Sequence, residues 1–134
     1  MQMNQLFYNL VSNAIKFAKE GVKPVIDISC TLLLPEDMKK YPALDPNLIY
    51  YEIIFKDNGI GFEQQFAEQI FLLFQRLNDS LQYSGVGIGL ALCQKIVQGH
   101  LGTIRAEGTE SGATFYIILP LKQSGTKLVA KNDK

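Results

Sequence analysis

Glycine occupies the alternate positions 85, 87 and 89, and the run leads directly into residues 87–99, where Ile88, Ala91, Leu92 and Ile96 share one helical face. A helix that begins on such a run turns bare backbone N–H groups and the positive end of its dipole toward whatever lies in front of it. That arrangement suits an anion, phosphate above all. The pattern lacks the Gly-Lys-Ser/Thr ending of a P-loop, and it does not follow a strand as a dinucleotide fingerprint does. Any site built here has to take its other parts from elsewhere in the chain.

Those parts sit on elements that the sequence marks clearly. Leu6, Leu10, Ala14 and Phe17 recur at helical spacing, with Val11 and Ala18 widening the stripe, which predicts an amphipathic helix over 2–18 ended at Glu20-Gly21. Val25, Ile26, Ile28, Cys30, Leu32 and Leu34 alternate as a strand does, and 49–56 reads as a second strand. Pro35, Pro42 and Pro46 break the stretch between them into a long polar loop, so the pair reads as an antiparallel hairpin with an extended tip. Residues 66–77 are apolar and helix-compatible, 78–84 turn polar in the manner of a lid, and Gly99 stops the helix that follows. A last hairpin joins 103–107 to 114–119 through 108–113. Mixed strands with helices gathered to one side predict an α+β two-layer sandwich. Residues 1–122 form its single domain and the polar, lysine-bearing 123–134 a flexible tail or linker. The chain opens straight into its first helix without a cap, as a fragment would.

Composition removes several classes of function. Thirteen basic residues balance thirteen acidic ones, which argues against electrostatic binding of nucleic acid or of a membrane surface. Cys30 and Cys93 lie in apolar stretches and read as reduced core thiols, and a single histidine leaves no zinc-ligand spacing. The longest apolar run, Leu48–Phe55, is interrupted by Tyr50, Tyr51 and Glu52. It falls far short of the roughly 20 residues a bilayer span takes. A cytoplasmic domain is expected, including the case of the cytoplasmic part of a membrane-bound receptor.

Two further groups carry chemistry. Asn9 and Asn13, four apart, project from one face of the first helix. Amide oxygens are neutral, hard ligands suited to Mg²⁺, an ion that keeps several waters and takes few protein ligands; the plainer reading is a solvated helix face. Asp57 offers a carboxylate able to accept a hydrogen bond from the exocyclic amine of adenine, which guanine lacks at that position. The plainer reading there is a turn closing a strand, but Gly59 and Gly61 together are more than a simple turn requires.

Taken in order, Asn9–Phe17, Asp57–Phe62, Ile70–Arg76 and Gly85–Leu90 resemble the N, G1, F and G2 boxes of the catalytic, ATP-binding domain of sensor histidine kinases. That family is shared with gyrase, the Hsp90 chaperone and the MutL repair protein. The resemblance runs from Gln5 to Leu121 and implies a Bergerat (GHKL) fold, with a mixed, mostly antiparallel sheet and helices on one face. It implies ATP and Mg²⁺ as cofactors, with Asn13 the principal metal ligand and Asn9 beside it, Lys16 meeting phosphate and Phe17 packing by the base. Asp57, Gly59, Gly61 and Phe62 would hold the adenine. Gly85, Val86, Gly87, Ile88, Gly89, Leu90 and Thr114 would complete the nucleotide site, and Phe71 and Phe74 would anchor the lid. Arg76 would reach the γ-phosphate and, with Asn9, make up the catalytic pair. His100 matches a turn position and not the phosphorylated histidine, which the family carries on a separate dimerisation domain.

Two departures from the family pattern matter. Hydrolysing relatives carry a glutamate where Asn9 stands, and an amide cannot act as that base; the change favours phosphoryl transfer over hydrolysis. Ala113 stands where many relatives have a threonine supporting the adenine-binding aspartate, so weakened nucleotide affinity is expected. The implied function is donation of the ATP γ-phosphate to a histidine on an absent dimerisation domain, followed by transfer to a response-regulator receiver, with little turnover by the fragment alone. The rivals are a GHKL-type ATPase or serine kinase, and a degenerate, non-catalytic regulatory module.

Overall fold

The computed structural model describes residues 2–71 and 86–121. Helix α1 spans Gln2–Lys16, where Leu6, Leu10 and Ala14, each four apart, are all buried and Met3, Phe7, Val11 and Phe17 flank them. Strand β1 is Ile26–Leu32, β2 is Tyr50–Asp57, helix α2 is Val86–Gly99, and β3 (Thr103–Thr109) and β4 (Gly112–Pro120) follow. The strands stand in the order β1-β2-β4-β3, every neighbouring pair among the described residues antiparallel. Both helices lie over one sheet face. Ile53, Phe55, Phe115, Ile117, Ile104 and Ala106 meet Leu6 and Leu10 of α1 and Leu90, Cys93, Ile96 and Val97 of α2 in one continuous core. The expected two-layer sandwich is thus present. No helix among the described residues is long and apolar enough to cross a membrane.

Between β1 and β2 the structure differs from expectation. Residues 35–48, read from the sequence as a polar loop, contribute to a second apolar cluster in which Leu33 and Leu44 pack with Tyr50 and Ile118, bordered by Met38, Tyr41 and Leu48. Ile118 neighbours Ile117 of the main core, so strand alternation turns it to the opposite sheet face. The loop therefore covers part of that outer face. A 3-10 turn at Asp37–Lys40 shapes it, and the Tyr50 hydroxyl accepts a hydrogen bond from the Asp45 N–H at 2.9 Å. Nearby the Arg105 guanidinium stacks 3.8 Å from the Tyr116 ring centroid and hydrogen-bonds the Tyr41 hydroxyl and Glu107. The apolar stretch after β2 also differs: 3-10 turns occupy Gln64–Phe66 and Gln69–Phe71, and 72–77 lie outside the described residues.

The last hairpin is tighter than its sequence indicates, since β3 and β4 pair out to Thr109 and Gly112 and leave a two-residue turn. Helix α2 does end at Gly99, but Gly99 is not the residue that turns the chain. Leu101 holds φ of 67°, while the Leu101 N–H reaches Gln98 O and the Gly102 N–H reaches back to Val97 O at 3.0 Å. This is the closure in which glycine normally supplies the left-handed residue. A leucine there costs about 1–2 kcal/mol, and Leu101 is 54% exposed, so little packing offsets it. Leu101→Gly is expected to raise stability by about 1 kcal/mol in a urea denaturation, with no change in slope. An unchanged or lower midpoint would show that the leucine is not strained.

Candidate functional site

The end of β2, the end of α1 and the turn of the β3–β4 hairpin converge on one place. Phe17, just past α1, accepts a hydrogen bond from the Ile60 N–H at 3.0 Å through its carbonyl. A Cβ on Gly59 would stand 2.6 Å from that same carbonyl oxygen, so only glycine lets the loop after β2 lie against the helix end. Asn58 ties the other side, its amide accepting from the Val25 N–H at 2.8 Å and donating to Lys23 O at 3.1 Å. Gly61, with φ of 68°, presses against the carbonyls of Thr109 and Gly112. The loop 57–62 is therefore a close-packed bridge between helix and hairpin.

Within this frame the Asp57 carboxylate is held by main-chain donors. Its Oδ1 accepts from the Gly59 N–H at 2.8 Å and from the Ala113 N–H at 3.2 Å. Neither oxygen has a side-chain partner among the described residues, so Oδ2 is left for a donor arriving from the pocket. The expectation that Ala113 deprives this aspartate of support meets a physical answer here. A backbone N–H needs no hydroxyl, and alanine supplies it as well as threonine.

Asp57 opens into a pocket walled by Phe17, Phe62, Ile70, Leu90 and Phe115, with Asn13, Gly61 and Ala113 completing it. The mostly apolar lining with one placed carboxylate suits a flat, partly polar ring. Asn13 enters from α1 and meets α2 at its glycines: a Cβ on Gly89 would lie 3.7 Å from the Asn13 amide nitrogen. The side-chain nitrogens of both Asn9 and Asn13 are buried and have no hydrogen-bond partner among the described residues. Buried amide donors are rarely left so, and acceptor atoms of a ligand or of water would complete both. Behind Asn9 lies Cys93, whose thiol donates weakly to Leu6 O at 3.8 Å. Burial pushes that thiol up to about 12, the neighbouring Asn9 amide pulling the other way without an ordinary hydrogen bond. Cys93 is therefore a neutral thiol and no nucleophile near neutral pH.

The residues singled out in the sequence fall into distinct groups. Asn13, Phe17, Asp57, Gly61, Phe62 and Leu90 line the one pocket, with Gly59 and Gly89 shaping its edges. Asn9 stands one helical turn before Asn13. Lys16 is exposed, its ammonium 5.6 Å from the Phe17 ring centroid. Val86, Gly87 and Ile88 form the opening of α2. Gly85, Phe74, Arg76 and the segment 78–84 lie outside the described residues, as do 123–134.

Thr114 is a correction. It pairs with Lys56 between Ala113 and Phe115, both of which face the pocket, so its side chain points to the other sheet face. His100 caps α2, its Nδ1 2.8 Å from Ile96 O, in keeping with a structural part. The sequence reading missed the Ala113 N–H and Gln64, treated below. Neither leaves a side-chain pattern of its own, and only the spacing of Ala113 from Phe115 and Ile117 hinted that it faces inward.

Comparison with known proteins identifies relatives of this fold. Residues 1–123 match the family model described as histidine kinase-, DNA gyrase B- and HSP90-like ATPase. The chain is 40% identical over 121 residues to cyanobacterial phytochrome A of Nostoc sp., covering 90% of this chain and 14% of that protein. It is 38% identical over 122 residues to the phytochrome-like protein Cph1 of Synechocystis sp., again covering 90% and 14%. The chain thus spans about one seventh of the length of these relatives. Among solved structures, the mycobacterial sensor histidine kinase MprB superposes with a TM-score of 0.65 at 22% identity, over 89% of this chain and 72% of that one, a likeness of fold.

Proposed function

Since the chain belongs to the histidine kinase-, DNA gyrase B- and HSP90-like ATPase family, homologous to the catalytic domains of sensor kinases, we propose that this pocket binds Mg·ATP and presents its γ-phosphate to a histidine on a separate dimerisation domain. The observation that carries the reading is the Asp57 carboxylate, anchored through one oxygen by two main-chain donors and facing a pocket that also holds the partnerless Asn13 amide.

In this reading Asp57 Oδ2 accepts the exocyclic amine of adenine, while Phe17, Phe62 and Ile70 enclose the ring. Guanine presents a carbonyl at the same place and is repelled by the carboxylate. Asn13, with Asn9 beside it on one helix face at the mouth of α2, would offer amide oxygens to a magnesium ion, while their partnerless side-chain nitrogens would donate to phosphate or to the ion's waters. Bound there, Mg²⁺ would neutralise phosphate charge. The opening of α2 turns N–H groups and its dipole toward the same phosphates. Lys16 would meet phosphate from the end of α1, and Arg76 would approach the γ-phosphate. Asn9 holds no proton-accepting group, so no residue of this face activates water. Catalysis then rests on position and charge, with the nucleophile supplied by the dimerisation domain and the phosphoryl group passing onward to a receiver aspartate.

Calorimetric titration of ATP, ADP and GTP with and without Mg²⁺ tests the reading. ATP and ADP are expected to bind and GTP to bind at least roughly tenfold more weakly, a difference of about 1.4 kcal/mol. Asn13→Ala is expected to abolish the gain that Mg²⁺ brings to ATP binding while leaving adenosine binding within about twofold. Equal binding of ATP and GTP, or an undiminished magnesium effect in Asn13→Ala, would refute the corresponding assignment. Addition of a histidine-bearing dimerisation domain then tests transfer directly, and steady hydrolysis by the chain alone would favour the ATPase alternative.

A further inference from the structure

Gln64 opens the 3-10 turn two residues beyond Phe62, and its side chain makes both hydrogen bonds that a partner strand would make. Its Oε1 accepts from the Gly108 N–H at 2.8 Å and its Nε2 donates to Ala106 O at 3.4 Å. Among the described residues β3 is the end strand of the sheet, with β4 on one side only. A carbonyl at one residue and an N–H two residues on point to the same edge of a strand, and the Gln64 amide covers this pair.

The consequence lies one step away, at the pocket. A Cβ on Gly108 would collide with the Phe62 carbonyl and lie 2.6 and 2.7 Å from its ring atoms Cδ1 and Cγ, so the ring rests on bare backbone. Among the described residues no main-chain hydrogen bond ties 61–63 to β3. The Gln64 amide is the hydrogen-bonded link between that segment and the strand beneath it. Gln64 itself is exposed at the surface, so the link adds more to placement than to the core.

We infer that Gln64 is a positioning residue of the nucleotide pocket: clamped on the edge of β3, it holds Phe62 against Gly108 and thereby sets the wall that faces the base. The inference rests on the nucleotide reading of the site. It concerns the base end alone, because Phe62 shares the pocket with Asp57 and Phe17, whereas the phosphate groups are assigned to Asn13 and α2.

The test is an NMR-detected titration of ATP and adenosine into the 134-residue chain and its variants, alongside thermal unfolding without ligand. Gln64→Met keeps the size of the side chain and removes both hydrogen bonds. It is expected to weaken ATP and adenosine alike by about 5- to 10-fold, which corresponds to one lost ordinary hydrogen bond's ordering effect, with the gain from Mg²⁺ unchanged. Its melting temperature should stay within about 3 °C of the parent. Gln64→Glu retains an acceptor for the Gly108 N–H, and its second oxygen, which cannot donate to the Ala106 carbonyl, is at the exposed surface and can turn to water, so it should lose only about 2- to 3-fold. Unchanged affinity in Gln64→Met overturns the inference, as does a loss confined to ATP, which would place the effect at the phosphates. An equal loss in both variants accompanied by a large fall in melting temperature overturns it too, since that marks general damage. If the parent chain binds no nucleotide, the reading of the site falls and the inference falls with it.

Discussion

Asp57→Asn is expected to leave the fold intact and weaken ATP binding by roughly 30- to 150-fold, the equivalent of about 2–3 kcal/mol for a hydrogen bond to a charged group. The asparagine carbonyl can take over both main-chain contacts of Oδ1, those from Gly59 and Ala113, so the loop after β2 keeps its anchor. What changes is the outward atom. An amide N–H₂ replaces the acceptor that would meet the adenine amine, setting two donors face to face. The same change suits the guanine carbonyl, so the ratio of GTP to ATP affinity should rise even as both remain weak. Asp57→Ala supplies the contrast: it strands two N–H donors and should cost stability as well, about 1–3 kcal/mol. Calorimetry with melting curves separates the cases. Full ATP affinity in Asp57→Asn would mean that the base lies elsewhere.

Much of this site is legible in the sequence because it uses side chains in periodic elements. Leu6, Leu10 and Ala14 place α1, and with it Asn9 and Asn13, by spacing alone. Gly59 and Gly61 announce a loop that must run close to other backbone, and the structure supplies the carbonyls of Phe17, Thr109 and Gly112 as what it runs against. What stayed hidden depends on backbone groups, which every residue carries. The Ala113 N–H supports Asp57 whatever the side chain at 113. Gln64 reads as an ordinary polar residue until a free strand edge lies beside it. Leu101 breaks the usual link between a left-handed turn and glycine, so the end of α2 was credited to Gly99. Thr114 was the avoidable error. Ala113, Phe115 and Ile117 alternate inward, and strand parity alone would have sent Thr114 to the other face.

Gly61 and Gly21 separate strain from collision, and the comparison predicts a large loss of stability at the first and a small one at the second. Both hold left-handed backbone, at φ of 68° and 76°. Alanine at either position pays the strain of that conformation, about 1–2 kcal/mol. At Gly21 a Cβ meets nothing within 4 Å, whereas at Gly61 it would run into the carbonyls of Thr109 and Gly112. Neither carbonyl can yield without moving the hairpin, which adds about 1–3 kcal/mol of overpacking. Gly61→Ala should therefore lose about 2–5 kcal/mol and fall by roughly 6–25 °C in melting temperature, while Gly21→Ala loses about 1–2 kcal/mol. Because the loop bridges α1 to the hairpin, any Gly61→Ala protein that still folds should also have its Asp57 displaced from Ala113 and bind ATP poorly. Thermal unfolding of the two variants decides the matter. Equal losses would mean that the hairpin accommodates a methyl group, and that the close packing of this loop is not what holds the pocket in shape.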